Sequence, residues 1–150
     1  MIAEIIHNNE INPRCKYIVV YAPDIAAKAF PGQFVHVLCG TSYDPLLRRP
    51  LGIHEVDTRQ GTFSMIYEIR GKGTELLARR CIGDMLDIIG PLGNGFALPE
   101  SGPTDVLIIA GGIGAAPLYY LAQYIKNAEW LGSLSVILGA GTCSMLLRPD

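Results

Sequence analysis

A chain of 150 residues, 49% hydrophobic and only 17% charged, carries enough apolar content to bury a core, which excludes a disordered polymer. Its formal net charge is −2 and its Lys and Arg residues are scattered, so no basic stripe offers a footprint for nucleic acid. The opening Met1-Ile2-Ala3-Glu4 lacks the basic stretch and apolar core of a secretory signal, and Gly111, Gly112, Gly114 and Pro117 interrupt the uncharged run from Val106 to Ala122, so neither export nor a membrane span is expected. Cys15, Cys39, Cys81 and Cys143 form no C-x-x-C pair and read as reduced thiols of a cytoplasmic protein.

In chain order, residues 1–100 read as an all-β unit. Extended runs are expected at Ile2 to His7, Tyr17 to Tyr21, Gln33 to Leu38, Leu51 to Val56, Thr62 to Ile69 and Met85 to Ile89, separated by Asn-Pro, Pro-Gly and Gln-Gly turn signals. Six short strands of this kind suggest a small barrel. In the fifth run Phe63, Met65, Tyr67 and Ile69 alternate with Thr62, Ser64 and Glu68, the period of a sheet with one face on a core, and Ile66 breaks the alternation. A short helix, roughly Glu75 to Arg80, is expected directly after Gly71-Lys72-Gly73-Thr74, with its N-terminus facing that loop.

Glycine and proline then concentrate in Gly90-Pro91-Leu92-Gly93-Asn94-Gly95-Phe96 and in Pro99 to Pro103, as at a domain seam. From Asp105 the pattern changes class. Val106 to Ala110 is a continuous apolar run of the parallel-sheet kind, Leu118, Leu121, Ala122 and Ile125 recur at helical spacing, and Leu134 to Leu138 is a second buried strand. The expected organisation is a β-barrel over residues 1–100, followed over 101–150 by an incomplete α/β nucleotide-binding domain, because two strands and one helix cannot cover themselves. The apolar faces of Val106 to Ile109 and Val136 to Leu138 should be partly exposed unless the barrel, another copy or a partner shields them.

Three glycine-bearing loops carry the chemistry: Arg49-Pro50-Leu51-Gly52, Gly71-Lys72-Gly73-Thr74, and Gly112-Ile113-Gly114-Ala115-Ala116-Pro117. Each stands where an extended run gives way to a turn or helix, where backbone N–H groups are free to hold phosphate oxygens. Two loops in the β unit and one in the β-α-β unit provide for two nucleotide pyrophosphates. Arg49 is forked and permanently charged, which suits a pyrophosphate oxygen; the alternative is a surface arginine beside a proline turn. Pro117 falls in the first helical turn, where its missing N–H is harmless. A doubly wound dehydrogenase would place glycine there and an acidic residue after the next strand, whereas this chain has Gly139-Ala140-Gly141-Thr142. His7, His36 and His54 have no carboxylate or cysteine at catalytic spacing and read as structural. With no nucleophile elbow, P-loop or zinc motif, the chemistry is expected from a cofactor.

Together with Pro31-Gly32-Gln33-Phe34, Leu47-Arg48-Arg49-Pro50-Leu51-Gly52-Ile53, the Gly90 to Phe96 run and Gly111-Gly112-Ile113-Gly114-Ala115-Ala116-Pro117-Leu118, these motifs resemble the ferredoxin-reductase superfamily. Within it they most resemble the electron-transfer subunits of NAD-dependent, class 1B dihydroorotate dehydrogenase. The motifs occur in order over nearly the whole chain, whereas Gly112-x-Gly114 alone would be weak. The resemblance implies FAD in the barrel at Arg49, Pro50, Leu51, Gly52, Ile66, Tyr67, Glu68, Gly73 and Thr74. It implies NAD as electron acceptor at Gly111, Gly112, Gly114, Ala115 and Pro117, preferred to NADP because no arginine lies near Gly141 for a 2'-phosphate.

The resemblance further implies an FMN-containing dihydroorotate dehydrogenase catalytic subunit as partner, a cytoplasmic heterotetramer in pyrimidine biosynthesis, and a [2Fe-2S] cluster in a cysteine-rich segment that this sequence lacks. Leu51 stands where many reductases of the superfamily place an aromatic ring. Gly52 stands where relatives carry Ser or Thr with its hydroxyl near flavin N5; its backbone N–H substitutes there, or the glycine merely tolerates a bulge or positive φ. Thr74 is open between phosphate ligand and plain cap, and Tyr67 between nucleotide contact and core. Two further readings are a reductase subunit of a sulfide dehydrogenase or ferredoxin-NADP oxidoreductase, and a flavin-binding module without activity. The chain is expected to be a fragment of a longer subunit that retains FAD, binds NAD weakly and carries no iron-sulfur cluster.

Overall fold

The computed structural model describes residues 1–40, 43–98, 105–128 and 132–147. Strand β1 (Ile2–Asn12) turns directly into β2 (Cys15–Tyr21). The buried Asn12 closes that turn, its Oδ1 accepting the N–H groups of Arg14 at 3.0 Å and Cys15 at 2.8 Å. Helix α1 (Pro23–Ala26) starts on a proline, whose missing N–H would be unpaired in a first turn anyway. Strands β3 (Phe34–Leu38), β4 (Arg49–Gly52), β5 (Glu55–Asp57), β6 (Thr62–Glu68) and β7 (Met85–Leu92) complete a seven-stranded sheet in the order β4-β3-β7-β1-β2-β6-β5. Helix α2 (Lys72–Ala78) lies between β6 and β7.

The two edges of this sheet, β4 and β5, are halves of one continuous run from residue 49 to residue 57. Between them the Ile53 N–H donates to Gln33 O at 3.1 Å and the His54 N–H to Ser64 O at 2.8 Å, so pairing passes from the β3 side to the β6 side within two residues. The sheet therefore closes into a barrel and leaves no long open edge. Its interior follows the period-2 pattern: Phe63, Met65 and Tyr67 of β6 point inward with Ile5, Ile18, Val20, Val35, Val37, Ile53, Leu86 and Ile88.

Strand β8 (Val106–Gly111) leads through one 3-10 turn, Gly112–Gly114, into helix α3 (Ala115–Asn127) and then β9 (Leu134–Gly139). β8 and β9 pair in parallel from Val106↔Leu134 to Gly111↔Gly139. Ile108 of β8 is buried against Leu121 and Ile125 of α3, while Leu107, Ile109, Val136 and Ile137 are exposed, which is the partial exposure expected of so narrow a sheet. Ile66 lies on the outer face of β6 and packs with Ile113, Ala115 and Ala116, where the α3 unit meets the barrel. Its break in the alternation marks that docking face.

The structure corrects several expectations. The Leu51 to Val56 run is two strands rather than one, because the chain crosses from one sheet edge to the other at Ile53-His54. The barrel accordingly has seven strands instead of six. Gly90 to Leu92 end β7, with Leu92 opposite Phe34, rather than lying outside the sheet, and an added Cβ at Gly95 would meet Phe30 Cδ1 at 2.3 Å. Pro99 to Pro103 lie outside the described residues. Helix α2 begins three residues earlier than the expected Glu75, so Gly73 and Thr74 form its first turn instead of a loop before it.

Gly90 packs directly on β3: a Cβ there would lie 2.5 Å from Val35 Cγ1 and 3.2 Å from Val35 Cβ. Gly90→Ala is expected to destabilise the barrel by about 1–3 kcal/mol through overpacking. Gly71→Ala, where a Cβ meets nothing within 4 Å, should change stability by less than about 0.5 kcal/mol. Urea unfolding of the two variants measures the contrast, and equal midpoints would contradict it.

Candidate functional site

Two of the three glycine loops meet at one point. Arg48 and Arg49 are adjacent but diverge. Arg48 reaches β7, its guanidinium bonding the Asp87 carboxylate at 2.5 Å and the Asp87 carbonyl at 2.9 Å, and this hydrogen bond holds the Asp87 carboxyl below its ordinary range. Arg49 turns the other way and lies on Gly73. A Cβ at Gly73 would come within 2.6 Å of Arg49 Nε and 3.0 Å of Cζ and Nη2, so only glycine allows that approach. Arg49 Nη1 donates to Leu47 O at 2.6 Å, which fixes the fork beside the start of α2.

The first-turn N–H groups of a helix have no intrahelical acceptor, and the helix dipole is positive there. In α2 these belong to Lys72, Gly73 and Thr74. The Thr74 hydroxyl is engaged locally: it accepts from the N–H groups of Arg70 at 3.0 Å and Gly71 at 3.3 Å, and donates to Gly71 O at 3.0 Å. Its single proton is spent on holding the turn. Backbone N–H groups and the Arg49 guanidinium are therefore the donors this cradle offers an anion.

The first and third loops meet at a second point. Gly52 packs against α3, where an added Cβ would lie 3.1 Å from Pro117 Cβ. Around this contact is a pocket of about 350 Å³, bounded by Pro50, Leu51 and Gly52 from β4, Ile66 to Glu68 from β6, and Ile113, Gly114, Ala116 and Pro117 from the other unit. Antiparallel alternation places Gly52 favourably: with Ile53 donating its N–H to Gln33, the Pro50 and Gly52 positions turn their backbone away from β3, and Pro50 has no N–H to lose.

Leu51 belongs to the barrel core yet lines the pocket. Tyr67 turns its ring into the core and donates its hydroxyl to Asn8 Oδ1 at 3.2 Å, and burial raises its pKa well above the ordinary phenol value. Arg49, Gly73 and Thr74 form the separate cradle, while Gly111, Gly112 and Ala115 stand outside the smaller pocket. A Cβ at Gly111, Gly112 or Gly114 would meet nothing within 4 Å, so this turn presents bare backbone to open space, and Gly112 has φ +52. Arg70 and Ile113 line the pocket although the sequence motifs did not single them out. Arg70 pairs with Glu68 at 2.7 Å, and its place directly before Gly71 was the available signal.

His54 ties the two units together. Its Nδ1 lies 2.6 Å from the carbonyl oxygen of Ala116, in the first turn of α3. A carbonyl only accepts, so Nδ1 carries the proton. The ring stacks on Tyr119 at 4.7 Å with an interplanar angle of 19° and meets the edge of Tyr17 at 6.0 Å. Gln123 extends the contact, donating to Tyr119 Oη at 2.8 Å and to Glu55 Oε1 at 3.1 Å. These groups border a larger cleft of about 1050 Å³ whose remaining walls are mostly apolar side chains of α3, β9 and Leu146–Leu147.

No protein-family model matches the chain. It is 48% identical over 130 residues to the dihydroorotate dehydrogenase B (NAD(+)) electron transfer subunit of Desulforamulus reducens, covering 87% of this chain and 48% of that protein. The subunit of the same name from Geobacillus kaustophilus is 54% identical over 99 residues, covering 65% of this chain and 38% of that protein. Among solved structures, an NADH-dependent reduced ferredoxin-NADP oxidoreductase matches with a TM-score of 0.85 and 31% identity, over 99% of this chain and 51% of the other. Ferredoxin-NADP+ reductase from Plasmodium falciparum shares the fold, with a TM-score of 0.80 at 16% identity over 98% of this chain and 62% of the other.

The barrel, the small parallel unit and the glycine-lined junction between them thus define a ferredoxin-NADP reductase-type module. By sequence the chain is similar to dihydroorotate dehydrogenase B electron transfer subunits, and it spans about half the length or less of the curated relatives it matches.

Burial lowers the His54 pKa, so the folded chain holds this imidazole neutral where the unfolded chain takes up a proton. The stability gained from a neutral, buried His54 is complete above the unfolded value near pH 6.5 and is lost as pH falls from there toward the lower folded value. Between pH 7 and pH 5 the wild type should therefore lose more stability than His54→Asn, which has no titrating ring. Urea unfolding at the two pH values tests the sign, and an equal loss in both proteins would refute it.

Proposed function

We propose that this chain is the flavin- and nicotinamide-binding part of an electron-transfer subunit, with residues 1–100 holding FAD and residues 101–150 beginning the NAD domain. The observation that carries the reading is the approach of Arg49 to Gly73, which leaves no room for a Cβ and sets a forked cation beside the free N–H groups of α2. That donor set suits a pyrophosphate. When bound, FAD supplies exchange of one electron or two and hydride transfer with a nicotinamide.

The residues of the chain bind and orient. Arg49 and the first turn of α2 hold the phosphates of the flavin nucleotide. Pro50, Leu51 and Gly52 line the pocket beside them, with the Gly52 N–H on the open side of β4. The bare backbone from Gly111 to Gly114 accommodates the second pyrophosphate, with Ala115 and Pro117 starting the helix behind it. The close packing of Gly52 on Pro117 brings the two nucleotide sites together. Gly139 to Thr142 carry no arginine, which favours NAD over NADP.

The names of the relatives at 48% and 54% identity support a dihydroorotate dehydrogenase catalytic subunit as partner. In this reading that partner contains FMN and donates electrons in the cytoplasm through a [2Fe-2S] cluster between the subunits. A second reading, a reductase subunit serving ferredoxin and NADP, is favoured by the match at TM-score 0.85 and 31% identity. Co-purification with a dihydroorotate-oxidising partner separates the two.

Arg49→Ala should weaken FAD retention by roughly one to two orders of magnitude, since a charged hydrogen bond to phosphate contributes about 1.5–3 kcal/mol. Thr74→Val should cost less, because its hydroxyl holds the turn while backbone N–H groups make the contact. Flavin titration ranks the two variants. Unchanged retention in Arg49→Ala would remove that residue from the site, and a flavin-loaded wild type unable to oxidise NADH with an artificial acceptor would favour a binding module.

A further inference from the structure

The run of chain from residue 49 to residue 57 carries both the Arg49 to Gly52 segment and, at the crossing that follows, the side chain that holds the helix of the other loop. His54 follows Gly52 by two residues and bonds the Ala116 carbonyl at 2.6 Å, while the residue after Ala116 is the Pro117 that packs on Gly52. The unit from β8 to β9 has few other fastenings to the barrel that are polar and directional. Among the described residues they include Gln123 to Glu55 at 3.1 Å and the Tyr120 hydroxyl donating to Ala29 O at 3.0 Å, both farther along α3. His54 alone grips the first turn, next to Gly114.

We propose that His54 is a positioning residue: by donating Nδ1–H to Ala116 O it fixes the first turn of α3, and with it the Gly111 to Gly114 backbone, against the flavin-side pocket, and so sets the affinity for a nicotinamide dinucleotide. The inference rests on the nucleotide reading given above. The Ala116 oxygen has a second lone pair for the helical N–H of Tyr120, so the His54 bond adds to the helix without displacing a rung. Stacking on Tyr119 holds the imidazole plane and directs Nδ1 at that carbonyl. A residue of this kind touches neither ligand; it acts by removing freedom from the turn that does.

Two substitutions divide the ring from the bond. His54→Phe keeps an aromatic face for Tyr119 and loses the donor, whereas His54→Asn loses the stack and keeps an amide N–H near the place of Nδ1. Each flavin-loaded protein is titrated with NADH, and hydrogen exchange across residues 113–120 is followed without ligand. In His54→Phe the NADH Kd should rise about fivefold and the first turn of α3 should exchange faster, with FAD retention within about twofold of wild type. His54→Asn should return both quantities to within about twofold of wild type.

An unchanged Kd and exchange rate in His54→Phe would overturn the proposal, as would an equal rise in both variants, which would assign the effect to the ring. FAD lost in step with NADH would show a merely structural role. Should His54→Phe fail to fold, His54→Gln replaces it: its amide lies one bond farther out and should not restore the Kd, and equality with His54→Asn would count against the bond. A wild type that binds FAD but no NADH would refute the nucleotide reading itself, a result distinct from one in which the wild type binds NADH and the variants match it.

Discussion

Everything else in this molecule depends on how the barrel closes. Residues 49 to 57 belong to both edges of the sheet, and the crossing is made by two backbone hydrogen bonds, Ile53 to Gln33 and His54 to Ser64. Closure pairs the Ile53 and His54 N–H groups with the strands on either side, and it brings a single stretch of chain past both glycine-loop contacts. Arg49 at its start reaches Gly73, Gly52 meets Pro117, and His54 meets Ala116. A run that must bend between two sheet edges cannot also carry bulky side chains on its outer face at the bend. Glycine and an imidazole lying flat on Tyr119 meet that constraint.

The outer face of β6 follows from the same closure. β5 pairs with only three residues of β6, Thr62 to Ser64, and beyond them the second unit meets the outer face. Ile66 supplies apolar surface there, packing with Ile113, Ala115 and Ala116, while Ser64 is buried nearby with its hydroxyl unpaired among the described residues. The seam between the units is thus apolar beside the smaller pocket and polar around His54, Glu55 and Gln123.

Much of this was legible in the sequence because it is local. Period-2 alternation in β6, the apolar run of β8 and the helical spacing of α3 each reflect which face of an element is buried, and each stands where it was expected. The three glycine loops were visible for the same reason. What was not legible depends on contacts distant in sequence. Nothing near Leu51 to Val56 announces that the run divides, since the partners that divide it are Gln33 and Ser64. Gly90 to Leu92 read as a linker by composition but are strand, because Phe34 lies opposite. His54 has no local signal either: its partners Ala116 and Tyr119 lie more than sixty residues away. Ile66 was the one visible trace of long-range packing, an apolar residue where alternation called for a polar one.

The departure at Gly52 has a steric cause in the fold. The family resemblance implies Ser or Thr at this position, yet a Cβ here would lie 3.1 Å from Pro117 Cβ, tighter than ordinary carbon contact. Ser would add a hydroxyl beyond that Cβ and Thr a further methyl, and the pyrrolidine ring, locked by its own geometry in the first turn of α3, has little freedom to yield. Glycine at 52 and proline at 117 are therefore one fitted pair across the seam. The pair exchanges a side-chain donor for closer approach of the two loops. It also explains why a helix with proline at its third position is held from outside by His54 one residue earlier: the close packing at Gly52 is useful only if the turn that brings Pro117 there stays in place.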